Sequence, residues 1–131
     1  MAIDKNDIVT FKSVAPSFVV SDVVATAEYY RDVLGFEILG YFGEPTVFAM
    51  VARGGVEFHF GKADAEPQRS NLELRKISSD AYIWVTDVEE LFQELTAAGA
   101  DIIAGPIRRI YDCVELEVRD CNGFKLVFSQ G

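Results

Sequence analysis

Apolar residues along this chain follow two spacings. In several short stretches they alternate with polar residues at every second position, as in a half-buried strand. In two longer stretches they recur every three or four positions, as in a helix with one buried stripe. The order of these stretches is written twice. Phe18-Val-Val-Ser-Asp22-Val23 and Ile83-Trp-Val-Thr-Asp87-Val88 are both an apolar run followed by Ser or Thr, then Asp, then Val, 65 residues apart. Such an internal repeat defines the architecture before any single element does.

Each Asp is placed to cap a helix by accepting from the free N–H groups of its first turn. Glu90, three residues after Asp87, completes a capping-box pattern. The first helix carries Val23, Ala27, Tyr30 and Leu34 on one face, and the second carries Val88, Leu91, Phe92, Leu95 and Ala98. Gly35 and Gly99 follow as C-cap glycines. A strand comes next in each half, Phe36–Leu39 and Ala100–Ile103, and Gly105-Pro106 reads as a loop stop. Two hairpins complete the pattern. Val47–Ala52 and Val56–Phe60 flank Arg53-Gly54-Gly55, and Val114–Val118 and Phe124–Phe128 flank Asp120-Cys-Asn122-Gly123. The prediction is an α+β fold of two tandem βαβββ modules with curved mixed sheets. Residues 1–131 form one domain, with a first module at 14–61, an exposed linker at 62–79 and a second module at 80–130.

Composition narrows the function. Hydrophobic residues make up 50% of the chain, enough for a dense core. The net charge of -9 argues against nucleic acid and against anionic lipid as partners. The linker, with four basic and three acidic residues, is the one net-positive stretch. No run approaches a membrane span, and the polar N-terminal MAIDKNDIVTFKS lacks a secretory signal, so a cytoplasmic protein is expected. Cys113 and Cys121 are then expected to be free thiols, although a cross-strand pairing is conceivable. Asp120 reads as a turn residue, and Arg108-Arg109 is too small a basic cluster for nucleic acid.

Strand alternation sorts the candidate site residues. Phe58, Phe60, Ile83, Val85, Leu126 and Phe128 face the helices as core. The opposite faces carry Ala15, Ser17 and Val19; Glu57, His59 and Gly61; Asp80, Tyr82 and Trp84; and Lys125, Val127 and Ser129. Glu115 and Glu117 alternate onto the same concave side or a dimer rim. A concave sheet face is a favoured seat for a small molecule. Trp84, Tyr82 and Phe48 are candidate stacking surfaces, with His59, Glu57 and Asp80 as polar partners. The rings and the acidic charge point to a cationic or aromatic ligand.

The segments VVSDVVATAEYYRDVLGFEIL, YIWVTDVEELFQELTAAGADIIAGP and EVRDCNGFKLVFSQ resemble three signatures of the vicinal oxygen chelate superfamily, which includes glyoxalase I, bleomycin-resistance proteins and extradiol dioxygenases. In the third segment Cys121 and Asn122 replace the family's Pro-Asp. The resemblance implies a four-residue metal site, at positions that match Ala15, His59, Asp80 and Val127 here. Ala15 and Val127 have no donor atom, so no cofactor is expected, and His59 and Asp80 are the remaining metal candidates. The resemblance thus favours the bleomycin-resistance branch, and with it a non-catalytic homodimer that sequesters a small molecule such as an antibiotic. The alternatives are a divalent-metal-dependent lyase, isomerase or dioxygenase using His59, and metal-free acid–base chemistry with His59 oriented by Glu57 or Asp80. Half-open sheets with uncovered edges also favour a dimer.

Overall fold

The computed structural model describes residues 4–131; the first three residues of the polar N-terminal stretch lie outside the described residues. After a 3₁₀ turn at Lys5–Asp7, the elements run β1 (Ser17–Val20), α1 (Val23–Asp32), β2 (Glu37–Phe42), β3 (Phe48–Arg53), β4 (Val56–Lys62), α2 (Asn71–Leu74), β5 (Ala81–Trp84), α3 (Val88–Ala97), β6 (Asp101–Arg108), β7 (Val114–Arg119) and β8 (Lys125–Gln130). They form two four-stranded mixed sheets, ordered β1-β4-β3-β2 and β5-β8-β7-β6. In each, the strand before the helix pairs in parallel with the last strand of its module, and the other pairings are antiparallel. The twofold βαβββ repeat read from the sequence is the fold.

The local signals act as expected. Asp22 accepts from the Ala25 N–H at 2.9 Å, and Asp87 from the Glu90 N–H at 3.0 Å. Gly35 and Gly99 take φ of +77° and +84°, a conformation that carries a Cβ penalty in other residues. Helix α1 lies against β2, β3 and β4, and α3 against β6, β7 and β8. Between helices and sheets sits one core, in which Phe18, Tyr30, Phe58, Phe60, Phe124 and Leu126 are all buried.

The modules are joined reciprocally. The Phe18 ring stacks on Phe124 of the second module with centroids 4.2 Å apart. The β7–β8 turn reaches α1, where Asn122 Nδ2 donates to Thr26 Oγ1 at 2.9 Å. In return, Arg53 at the β3–β4 turn donates through both terminal nitrogens to Glu94 of α3, at 2.7 and 2.8 Å.

Three expectations need correction. Gly105-Pro106 does not stop a strand, because β6 runs straight through it. As an edge strand β6 tolerates a residue without N–H, and register shifts between Ile102, Ala104 and Ile107 absorb the irregularity. The linker is not wholly an open loop. It holds α2, whose N-cap Ser70 accepts from Glu73 N–H at 3.0 Å, and β4 extends into it by one residue. Val85 is only partly buried, unlike its five companions in the expected core. Both cysteines are free thiols, Cys113 buried and Cys121 exposed.

Candidate functional site

Strand register arranges the non-core faces into rows. On the first sheet, Ser17, His59, Met50 and Gly40 lie abreast, next to the apolar row Val19, Gly61, Phe48 and Phe42. On the second sheet the rows are Tyr82, Val127, Glu117 and Ala104, and Trp84, Ser129, Glu115 and Ile107. The six residues singled out from the sequence therefore divide into two groups of three, one on each sheet.

On the first sheet, Nε2 of His59 is in close contact with Oε2 of its strand neighbour Glu57. Phe48 meets the imidazole edge-on, with centroids 5.5 Å apart. This is a His–carboxylate pair under an aromatic edge.

On the second sheet, Tyr82 and Trp84 hold their rings 5.0 Å apart, with Trp84 74% exposed. Beside them is a cavity of about 530 Å³. Ile103 and Val127 form apolar wall, the linker residues Leu72, Lys76 and Ile77 flank it, and Arg109, Tyr111, Glu115, Glu117 and Lys125 supply its polar surface. The polar groups form one network. Glu115 accepts from Arg109 Nε at 2.9 Å, Tyr82 Oη at 2.5 Å and Tyr111 Oη at 2.8 Å. Glu117 accepts from Arg109 Nη2 at 3.3 Å and pairs closely with Lys125 Nζ.

Glu115, Glu117 and Lys125 are all buried, so the charges must be paired to persist. Burial pushes the Glu115 carboxyl up, but hydrogen bonds from Tyr82, Tyr111 and Arg109 outweigh it and hold the group below its ordinary range. The Tyr82 phenol is pushed up to about 12, first by burial and then by donating to Glu115. It is a fixed donor at neutral pH.

Asp80 sits just before β5 and spends both oxygens on backbone. One accepts from Asn71 N–H at 2.8 Å and the other from Lys125 N–H at 2.9 Å. It thereby ties the linker helix to β8, beside the cavity. These residues do not fit a divalent metal. Ala15 and Val127 offer no donor, the His59 ring is engaged by Glu57, and Asp80 is engaged by two amides. Among the described residues, no group of three or more His, Cys, Asp or Glu side chains is placed to hold one.

Sequence reasoning does not single out Arg109, Tyr111, Lys125 or Lys76 as site residues. Arg109 and Tyr111 lie in the β6–β7 turn and Lys76 in the linker, where no periodicity marks a facing side. Lys125 does carry a signal, an inward-facing cation two residues before Val127 on a strand whose other face is core. A second cavity, of about 510 Å³, lies between the modules and is lined by Leu34, Phe36, Val56, Leu91, Phe128 and also Trp84, which does not line the first cavity. Its rim cation, Arg53, is already engaged by Glu94.

A family model described as the Glyoxalase/Bleomycin resistance protein/Dioxygenase superfamily matches residues 10–128. No curated protein is a significant match. Among solved structures, TioX from Micromonospora sp. ML1 is 23% identical with a TM-score of 0.73, over 92% of this chain and 98% of that one. The bleomycin-binding protein from bleomycin-producing Streptomyces verticillus, complexed with copper(II)-bleomycin, is 29% identical with a TM-score of 0.68, over 94% and 98%. Another bleomycin-binding protein, complexed with bleomycin, is 18% identical with a TM-score of 0.72, over 92% and 99%. The two below a quarter identity show a shared fold alone. No helix among the described residues is long and apolar enough to cross a membrane.

Proposed function

The chain belongs to the Glyoxalase/Bleomycin resistance protein/Dioxygenase superfamily, and from that membership we propose that it is a small-molecule binding protein that seats an aromatic ligand on the second sheet. The observation that carries this reading is the 530 Å³ cavity lined by Tyr82, whose ring packs against that of the exposed Trp84 just outside it. A lone Trp left 74% in water on an inward sheet face exposes apolar area that a flat ligand would cover. The copper(II)-bleomycin held by the 29% identical structural neighbour supports a bulky organic molecule, and sequestration of an antibiotic is the corresponding role. The polar network supports binding over turnover. Each oxygen of its carboxylates already accepts from or pairs with a cation or a phenol, which holds them as charged structural partners and not as free bases.

The test begins with quenching of the single Trp by a panel of aromatic antibiotics, bleomycin included. Calorimetry on Trp84→Ala follows, because that variant has no Trp fluorescence. The expected result is saturable quenching by at least one compound and an affinity loss of tenfold or more in the variant, about 1.4 kcal/mol or more. An absence of quenching and heat across the panel, or an unchanged affinity in Trp84→Ala, would overturn the reading.

A further inference from the structure

We propose that the second-sheet cavity selects ligands bearing an oxyanion, a carboxylate or a phosphate, and not the cations that the overall charge of the chain would attract. The inference deepens the ligand-binding reading and rests on it. Long-range potential from a chain of charge -9 favours a cation, but a bound group meets the local donors.

Within the cavity three cations, Lys76, Arg109 and Lys125, face two carboxylates, Glu115 and Glu117. Both oxygens of each carboxylate are taken: those of Glu115 by Arg109, Tyr82 and Tyr111, and those of Glu117 by Arg109 and Lys125. The cations are not used up. Arg109 spends Nε and Nη2 on the two glutamates, which leaves its Nη1 edge over. Lys125 has three donor hydrogens and one carboxylate partner. Lys76 has no ion-pair partner among the described residues and stands on the cavity wall. Two other carboxylates, on flanking segments, are occupied. Asp80 is held by two backbone amides, and Asp112 by Arg108 at 3.2 Å. What the cavity offers a ligand is therefore surplus N–H.

The Nη1 edge of the half-buried Arg109 guanidinium suits a carboxylate or phosphate oxygen, whereas an incoming ammonium would have to compete with Arg109 and Lys125 for the two glutamates. The apolar surface of Ile103, Val127 and Ile77, continued outward by the Tyr82–Trp84 rings, suits an aromatic body attached to that anion. The linker contributes through Lys76, so the one net-positive stretch of the sequence is brought to a cavity wall that is itself net positive.

The experiment compares four probes with a common ring by calorimetry and Trp quenching: 2-naphthoate, 2-naphthyl phosphate, neutral 2-naphthylmethanol and (2-naphthyl)methylammonium. The expected result is binding of at least one anion about tenfold or more tighter than the ammonium, with the advantage falling as salt is added. Lys76→Glu, an exposed position outside the network, should erase most of that preference without loss of fold by circular dichroism. The ratio between naphthoate and naphthyl phosphate then identifies which oxyanion is preferred. Equal binding of all four probes, or a preference for the ammonium or the neutral alcohol, would overturn the oxyanion seat and leave the ligand-binding reading standing. No binding of any probe would also overturn the oxyanion seat, and the ligand-binding reading falls with it only if the antibiotic panel fails too.

Discussion

The Tyr30 hydroxyl, buried beneath the last turn of α1, donates to Oδ2 of Asp120 in the β7–β8 turn at 2.6 Å, across ninety positions of sequence. The other Asp120 oxygen accepts from the backbone N–H groups of Asn122 and Phe124 at 2.8 and 2.9 Å. One carboxylate thus shapes the last hairpin turn and anchors it to the helix of the other module. Tyr30→Phe removes one donor to a charged acceptor and should cost about 1.5–3 kcal/mol. Asp120→Ala leaves a buried hydroxyl and two amides without partners, and should cost more than Tyr30→Phe. Urea unfolding of the three proteins checks the order. An Asp120→Ala variant as stable as wild type would show that the turn is held by its neighbours alone.

Asp120 and Glu115 should give opposite pH signatures. Burial raises the Asp120 carboxyl, and its hydrogen bonds from Tyr30, Asn122 and Phe124 only partly offset that. The folded state therefore holds the proton more tightly than the unfolded chain. The contribution of Asp120 to stability is full below the ordinary carboxylate pKa and is lost as pH rises through the folded value. Glu115 is lowered in the fold, so its contribution is present above the ordinary pKa and lost as pH falls through the folded value. Measured from pH 3 to 7, roughly the range that spans ordinary carboxylate titration, the advantage of wild type over Asp120→Asn should shrink with rising pH. The advantage over Glu115→Gln should grow. Parallel slopes for the two variants would contradict this.

How much of the molecule is legible in its sequence follows from how local each signal is. Asp22 and Asp87 act on amides three residues away, and Gly35 and Gly99 on their own φ, so caps and helix ends can be read directly. The repeat then supplies the topology, and alternation separates Trp84, Tyr82, His59 and Glu57 from the core faces. What stays hidden depends on strand order and on turns. Pro106 looks like a terminator until β6 is known to be an edge strand. Arg109 and Lys76 lie outside periodic segments, and only the folded chain brings them against Glu115, Glu117 and Lys125. Glu115 and Glu117 are readable as facing the concave side, but not as already neutralised.

Gly105 tests the corrected strand. It lies in β6 beneath α3, and a Cβ there would stand 2.7 Å from Leu116 Cδ1 and 3.3 Å from two ring atoms of Phe92. Leu116 is fully buried and has little room to withdraw. Gly105→Ala should therefore destabilise by about 1–3 kcal/mol through overpacking. Gly54→Ala meets no atom within 4 Å and tests the backbone alone, since its φ is +57°. If thermal melting found Gly105→Ala neutral, α3 would have to lie further from β6 than described.

The first sheet makes the last prediction. Its row Val19, Gly61, Phe48 and Phe42 is apolar from edge to edge, yet Val19 is 41% and Phe42 55% exposed. The extended segment before β1 adds Phe11 and Val14, both more than four-fifths exposed. A folded chain that leaves this much apolar surface in water gains by covering it, and a second copy of the chain can do so symmetrically. On the second sheet the exposed rings of Tyr82 and Trp84 are assigned to the ligand, and the rest of the face is lined by the paired network around Glu115 and Glu117. We therefore expect a homodimer whose interface includes the first sheet. Sedimentation equilibrium should give twice the chain mass of 14.5 kDa. Phe42→Glu places a charge in the exposed row without touching the core and should shift the mass toward the single chain. Phe42→Leu keeps the surface apolar and should remain dimeric. If Phe42→Glu still sediments as a dimer, the subunits meet elsewhere; if wild type sediments at 14.5 kDa, the apolar row is solvent-facing and the dimer expectation fails.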